Sequence, residues 1–164
     1  MRHVFALSLA AIVAGCVAGD RVPPHGLPVV GFRQLDAAST SGSEALRGLI
    51  SNTTSVTPVT GGSRVEYLAP DGTLVSWLAG RTTAERGRWT VGTDRRGRGT
   101  VCRDLPRAGL SGCEAQGGGL ATMWFETVRG DAFGLADGRP PVGYTPVPGW
   151  QSMARLVAAT RGGT

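Results

Sequence analysis

The sequence predicts a mainly β fold, a small antiparallel β-barrel or sandwich with a short helical turn before the first strand and a short helix at the end. Three observations carry this. Short runs rich in Val, Thr and aromatic residues recur between turn signals, at about the spacing of antiparallel strands. The 164 residues include 26 Gly and 10 Pro, a composition of many turns rather than long helices. A central hairpin also stands out, running from Arg86-Gly87-Arg88-Trp89-Thr90-Val91 through a Gly- and Arg-rich tip to Thr100-Val101-Cys102.

The N-terminus comes first. Met1-Arg2-His3 is a short positive region, and Val4 to Ala14 is an apolar run ending in small residues. That order fits a secretory signal peptide over residues 1–15, and the run is short for a membrane span. It ends in Val13-Ala14-Gly15-Cys16, which resembles the lipobox of bacterial lipoproteins. The resemblance implies cleavage before Cys16 and lipidation of its sulfur and new amine. Val17 stands where inner-membrane lipoproteins often carry Asp, so the same resemblance points to the periplasmic face of the outer membrane. Several acyl chains anchor firmly where one binds marginally.

Cysteine usage follows from that compartment. With Cys16 lipidated, Cys102 and Cys113 remain as one pair, and an oxidising periplasm permits them to bond. Closing a loop of that size stabilises by about 3 kcal/mol on the chain-entropy account.

Residues 16–40 read as the lipidated Cys and a tether, with Pro23-Pro24, Gly26 and Pro28 before a short apolar run that suits an extended segment. The β domain is expected over 41–136. Ser43 to Gly48 suits one or two helical turns, with Ser43 as cap, Glu44 at the positive end and Gly48 as stop. Strands are expected over Thr53–Thr60, Arg64–Leu68, Thr73–Leu78, Arg88–Val91, Thr100–Arg103, Gly112–Gln116, Leu120–Val128 and Ala132–Leu135. Pro58 marks an edge or bend, and Ala69-Pro70-Asp71-Gly72 is a strong turn signal. The Pro-rich stretch after Asp137 predicts an extended strap within 137–164. Met153, Leu156 and Val157 then recur at helical spacing, with Arg155 on the opposite face. This predicts a helix packed on the barrel, the alternative being a membrane-surface helix.

The order Asn52-Thr53, Tyr67-Leu68-Ala69-Pro70-Asp71-Gly72, Gly87-Arg88-Trp89, Cys102, Cys113 resembles a family of small secreted proteins and lipoproteins of proteobacteria. The likeness runs from about Leu46 to Thr127. It implies a small calycin- or lipocalin-like antiparallel barrel with a disulfide. It implies no activity, because that family's function is unassigned.

Catalytic constellations are sparse. No Ser sits in a Gly-x-Ser-x-Gly elbow, and the pair leaves no odd thiol. His25 falls in the expected tether and His3 leaves with the signal, so two His and two Cys fall short of a metal site. Glu66, Asp71, Glu85, Glu114 and Glu126 are scattered, and nothing in their spacing pairs them for glycoside chemistry. Gly117-Gly118-Gly119 lacks the Lys and Ser/Thr of a phosphate loop.

Two features weigh toward binding. Arg95, Arg96 and Arg98 share one hairpin tip, which suits either a solvated turn or contact with an anionic lipid or polymer. All 17 basic side chains are Arg, and the net charge of +5 is spread along the chain, which argues against a nucleic-acid groove. Tyr67, Trp77, Trp89, Trp124 and Phe125 lie on expected strands, where they either fill the core or line a ligand site. The sequence therefore points to a binding module without cofactor, metal or catalysis. It would be held to the membrane by its lipid anchor, and would take a small apolar ligand or an envelope protein or polymer. An inhibitor or accessory protein of an envelope enzyme is the alternative.

Overall fold

The computed structural model describes residues 26–115, 126–141, 144 and 149–161. The expected signal segment, Cys16, His25, Gly117-Gly118-Gly119, Trp124 and Phe125 lie outside the described residues. The strands are β1 Thr53–Val59, β2 Gly62–Leu68, β3 Thr73–Leu78, β4 Glu85–Thr93, β5 Gly99–Leu105, β6 Leu110–Ala115 and β7 Glu126–Arg129. They form one antiparallel sheet in the order β6-β5-β4-β3-β2-β1-β7. The protein is mainly β, as the sequence predicts.

The sheet curls into a half-barrel. Arg103 on β5 reaches Glu66 on β2, although β3 and β4 lie between those strands. The face carrying both side chains is therefore the concave one. Among the described residues β6 is one edge, and at the other Pro28–Val30 run antiparallel along the outer side of β7, the Val30 amide donating to the Thr127 carbonyl and the Arg129 amide to the Pro28 carbonyl, both at 2.8 Å. Pro58 sits in the half of β1 beyond its pairing with β7, as a proline without an N–H should.

Two helices plug one end of the concave side. Helix α1 spans Phe32–Thr40 and α2 spans Ser43–Ile50. Leu46 and Ile50 of α2, with Val30 and Leu35, meet Leu68, Leu74, Trp89, Val101 and Leu105 from the sheet. Gly99 makes the close approach feasible, since a Cβ there would lie 2.8 Å from the Gly42 carbonyl oxygen and 3.1 Å from the Leu46 Cβ. The Ser39 hydroxyl donates to the Gly99 carbonyl at 2.8 Å and seals the corner.

The convex side is covered by the end of the chain. Val56, Val65, Tyr67, Val75, Trp77 and Val128 pack against Phe133, Leu135 and the last helix, α3 Met153–Arg161. Met153, Leu156 and Val157 are buried and Arg155 is exposed, so the helix seats its apolar stripe on the sheet rather than presenting it.

Several local expectations need correction. Residues 32–40 form α1 rather than an extended tether. The helix is short and weakly patterned, and the Gly/Pro-rich residues before it mask the Leu35 and Ser39 face that it buries. Helix α2 starts after Gly42, whose φ of 107° favours glycine, so Ser43 is not its cap; Gly48 lies inside it. The helix ends instead at Ser51, whose backbone turns extended, and Asn52 follows with a left-handed φ of 57° and accepts a 2.9 Å bond from the Tyr67 hydroxyl. Ala132–Leu135 is not a strand. The Asp131 carboxylate accepts from the Phe133, Leu135 and Ala136 amides and winds the chain into a short 3-10 turn over Leu135–Asp137.

Candidate functional site

Among the described residues, the opposite end of the concave face is polar. One register row crosses five strands as Thr127, Ser55, Glu66, Ser76 and Glu85. Thr127, Ser55, Glu66 and Ser76 are all buried. Beside them Thr57 pairs with Arg64 across β1 and β2. A cleft of about 400 Å³ opens here between Thr57–Val59, Arg64 and Glu66 on one side and Arg103 with Leu110–Glu114 on the other.

Arg103 organises its wall. The guanidinium Nε lies 3.1 Å from Glu66 Oε2, and Nη1 donates to Glu114 Oε2 at 2.5 Å. The Arg103 and Glu66 side chains are only 9% and 6% exposed, so this charge is held away from water, where it is stable only when paired. Glu114, at 33%, faces the opening.

The disulfide lies next to this ion network. Cys102 and Cys113 are direct cross-strand partners on β5 and β6, with Cα atoms 3.8 Å apart. Each precedes a member of the network, Arg103 on β5 and Glu114 on β6. Because side chains alternate along a strand, the bridge sits on the convex side while the charged pair points inward. The bond thus fixes the register that brings Glu114 onto Arg103.

Arg64 is different. Among the described residues it has no ion-pair partner. It borders the cleft and also a second hollow of about 260 Å³, shared with Ser76, Leu78, Arg81, Thr83 and Glu85. Three buried oxygens near this region, Ser55 Oγ, Thr127 Oγ1 and Glu85 Oε2, lack a hydrogen-bond partner.

The residues singled out by the sequence are distributed otherwise. Trp77 and Trp89 are fully buried and Tyr67 nearly so; they pack in the two cores and do not line the cleft. The Trp77 indole donates to the Arg81 carbonyl at 2.9 Å and stacks edge-on with Tyr144 at 5.3 Å. The Trp89 indole donates to the Ala69 carbonyl at 2.8 Å, and Arg47 lies 5.2 Å over its ring. At the hairpin tip Arg98 turns back onto Asp36 of α1 at 2.7 Å, leaving Arg95 and Arg96 exposed. The Arg96 and Arg98 amides donate to Asp94 Oδ1 at 2.8 and 2.9 Å. These amides, the Arg98 one first, hold the Asp94 carboxyl below the usual carboxylate range.

Among the described residues no cluster of three or more His, Cys, Asp or Glu is arranged to hold a metal. No helix among them is long and apolar enough to cross a membrane. Compared with known proteins, the chain matches no family model, no curated protein and no solved structure. The concave cleft is therefore read from its own chemistry. The sequence offers Glu66 and Glu114 among its scattered carboxylates, but does not single out Arg103 or Arg64. The signal lay in strand alternation, which puts Arg64 and Glu66 on one face of β2 and Arg103 on the matching face of β5.

Proposed function

We propose that the protein is a non-catalytic binding module of the bacterial cell envelope, held by lipid on Cys16 at the periplasmic face of the outer membrane. The observation that carries the binding reading is the open polar cleft on the concave face, built on the buried Glu66–Arg103–Glu114 network. Such a network costs desolvation and holds a fixed set of charges at the base of an opening. Its two carboxylates are engaged by the same guanidinium. That arrangement suits an anchoring lattice better than an acid and a base facing each other across a substrate. The volume suits a small polar ligand or one residue-sized group of a polymer.

The hairpin tip folds onto α1 through Arg98 and Asp36, which favours the cleft over a presented loop as the recognition surface. The lipobox-like Val13-Ala14-Gly15-Cys16 supports the anchor, and the resemblance to small proteobacterial secreted proteins and lipoproteins supports the compartment.

The test compares the parent with Thr57→Trp, which fills the cleft, and with Arg95→Ser/Arg96→Ser, which leaves it open. Solubilised envelope fragments are offered to each, and bound material is quantified by equilibrium dialysis. Thr57→Trp is expected to lose binding with an unchanged circular dichroism spectrum, and the tip variant to keep it. Equal binding by parent and Thr57→Trp contradicts the assignment.

A further inference from the structure

We infer that the Cys102–Cys113 disulfide is a site of thiol–disulfide exchange, opened by attack of a dithiol on Cys113 Sγ. The site lies on the convex face, across the sheet from the cleft, and goes beyond the binding reading. Disulfides that only hold a fold resist reduction, whereas exposed ones are the labile ones. The convex cover of Phe133, Leu135 and α3 packs on β1, β2, β3 and β7 and takes in no residue of β4, β5 or β6. On that uncovered part Arg88, Thr90, Asp104 and Ser111 are exposed, and the bridge lies among them. Cys113 is itself exposed, whereas Cys102 is half-buried.

Exchange requires the attacking sulfur to come in line with the S–S bond, from behind the sulfur it strikes. Across the sheet one row reads Thr90, Cys102, Cys113. The line onto Cys102 Sγ therefore passes over β4, where Thr90 stands beside it. The β4 backbone is close as well, since a Cβ on Gly92 would lie 3.5 Å from Cys102 Sγ. The line onto Cys113 Sγ comes from beyond β6, the edge of the sheet among the described residues. Exposure and direction both select Cys113.

The thiolate of the dithiol bonds to Cys113 Sγ as the Cys102–Cys113 bond breaks. Cys102 leaves with the electron pair and takes up a proton. The second thiol of the dithiol then attacks its neighbour's sulfur in the mixed disulfide and releases Cys113, which is protonated in turn. The dithiol ends as a disulfide, and its electron pair has reduced both cysteines. Opening leaves β6 without its covalent tie to β5 and unpins the register that sets Glu114 on Arg103. Loop closure favours the bond again once the dithiol is gone, so the change reverses.

The experiment uses the full chain in detergent micelles, with reduced glutathione as the probe thiol and no denaturant. Early samples are quenched with acid, free thiols are capped with N-ethylmaleimide, and peptide mapping by mass spectrometry reads each cysteine separately. Glutathione is expected on Cys113 and the cap on Cys102, in at least about tenfold excess over the reverse pattern. The rate is expected to stay flat in urea below the unfolding transition, as for a sulfur reached in the folded chain. In the chain reduced by dithiothreitol, amide hydrogen exchange over Leu110–Glu114 is expected to quicken at least about tenfold while that of β2 and β3 is unchanged. Equal glutathione on the two cysteines, a preference for Cys102, or a rate that climbs with urea from the first addition overturns the exchange site. Unchanged hydrogen exchange in β6 after reduction overturns its release.

Discussion

Replacing Arg103 by Met keeps the length of the side chain and removes its charge. The consequence follows from exposure. Glu66 is 6% exposed and loses its guanidinium partner, so a buried carboxylate is left without a counter-charge. Breaking a buried pair in this way costs about 3–5 kcal/mol. Glu114 adds little, because a third of its side chain is exposed, where an ion pair is worth roughly 0–1 kcal/mol. Arg103→Met should therefore lose about 3–5 kcal/mol of unfolding free energy, nearly all of it through Glu66. Adding Glu66→Gln should restore about half or more of the loss, since a neutral amide is cheaper to leave beside Met. Urea unfolding followed by Trp fluorescence reads this directly, as Trp77 and Trp89 are both buried in the cores. A loss under about 1 kcal/mol for Arg103→Met, or single and double variants that add within roughly 0.5 kcal/mol, would refute the coupling.

The disulfide variant Cys102→Ala/Cys113→Ala should lose about 3 kcal/mol, the entropy of closing a loop of this size, or roughly 10 °C in Tm; differential scanning calorimetry measures it, and an unchanged Tm contradicts it. The Asp94 carboxyl should titrate below the reference of about 3.9 in carbon-detected NMR. Because its folded pKa is lowered, its contribution to stability is present above that reference and is lost as pH falls through the folded value; a midpoint at or above the reference contradicts the amide contacts. Cys16→Ser should shift the protein from the membrane to the soluble fraction or block its processing, and unchanged fractionation with unchanged mass of the mature protein would sink the anchor.

Much of the sheet is legible in the sequence because its turns are strong. Ala69-Pro70-Asp71-Gly72 fixes the β2–β3 hairpin, with the Thr73 amide donating to Asp71 at 2.8 Å. Thr53–Val59 and Thr73–Leu78 match their expected runs almost to the residue. The site is less legible because both faces of the sheet are covered. In β2 the residues Val65, Glu66, Tyr67 and Leu68 are all buried, so alternation separates two interiors rather than inside from outside. Glu66 therefore looks like a surface residue in sequence and is a buried one in the fold. Its partner Arg103 is reached only through the curl of the sheet, which no local pattern encodes. The aromatic residues take the first of the two roles that the sequence leaves open, since Trp77 and Trp89 find carbonyl acceptors inside the protein and fill the cores. The tip arginines look like one cluster in sequence, yet Asp36 on α1 takes Arg98 away from the other two.

What happens to a molecule placed in the cleft decides most directly between binding and catalysis. NMR of the labelled full chain with solubilised envelope fragments, with mass spectrometry of the fragments before and after, answers it in one sample. The account predicts reversible shifts centred on Thr57, Arg64, Glu66, Arg103, Gly112 and Glu114, the residues that face one another across the opening, with the fragments unchanged in mass. Shifts centred elsewhere, or cleavage of a fragment that Glu66→Gln abolishes, would contradict it.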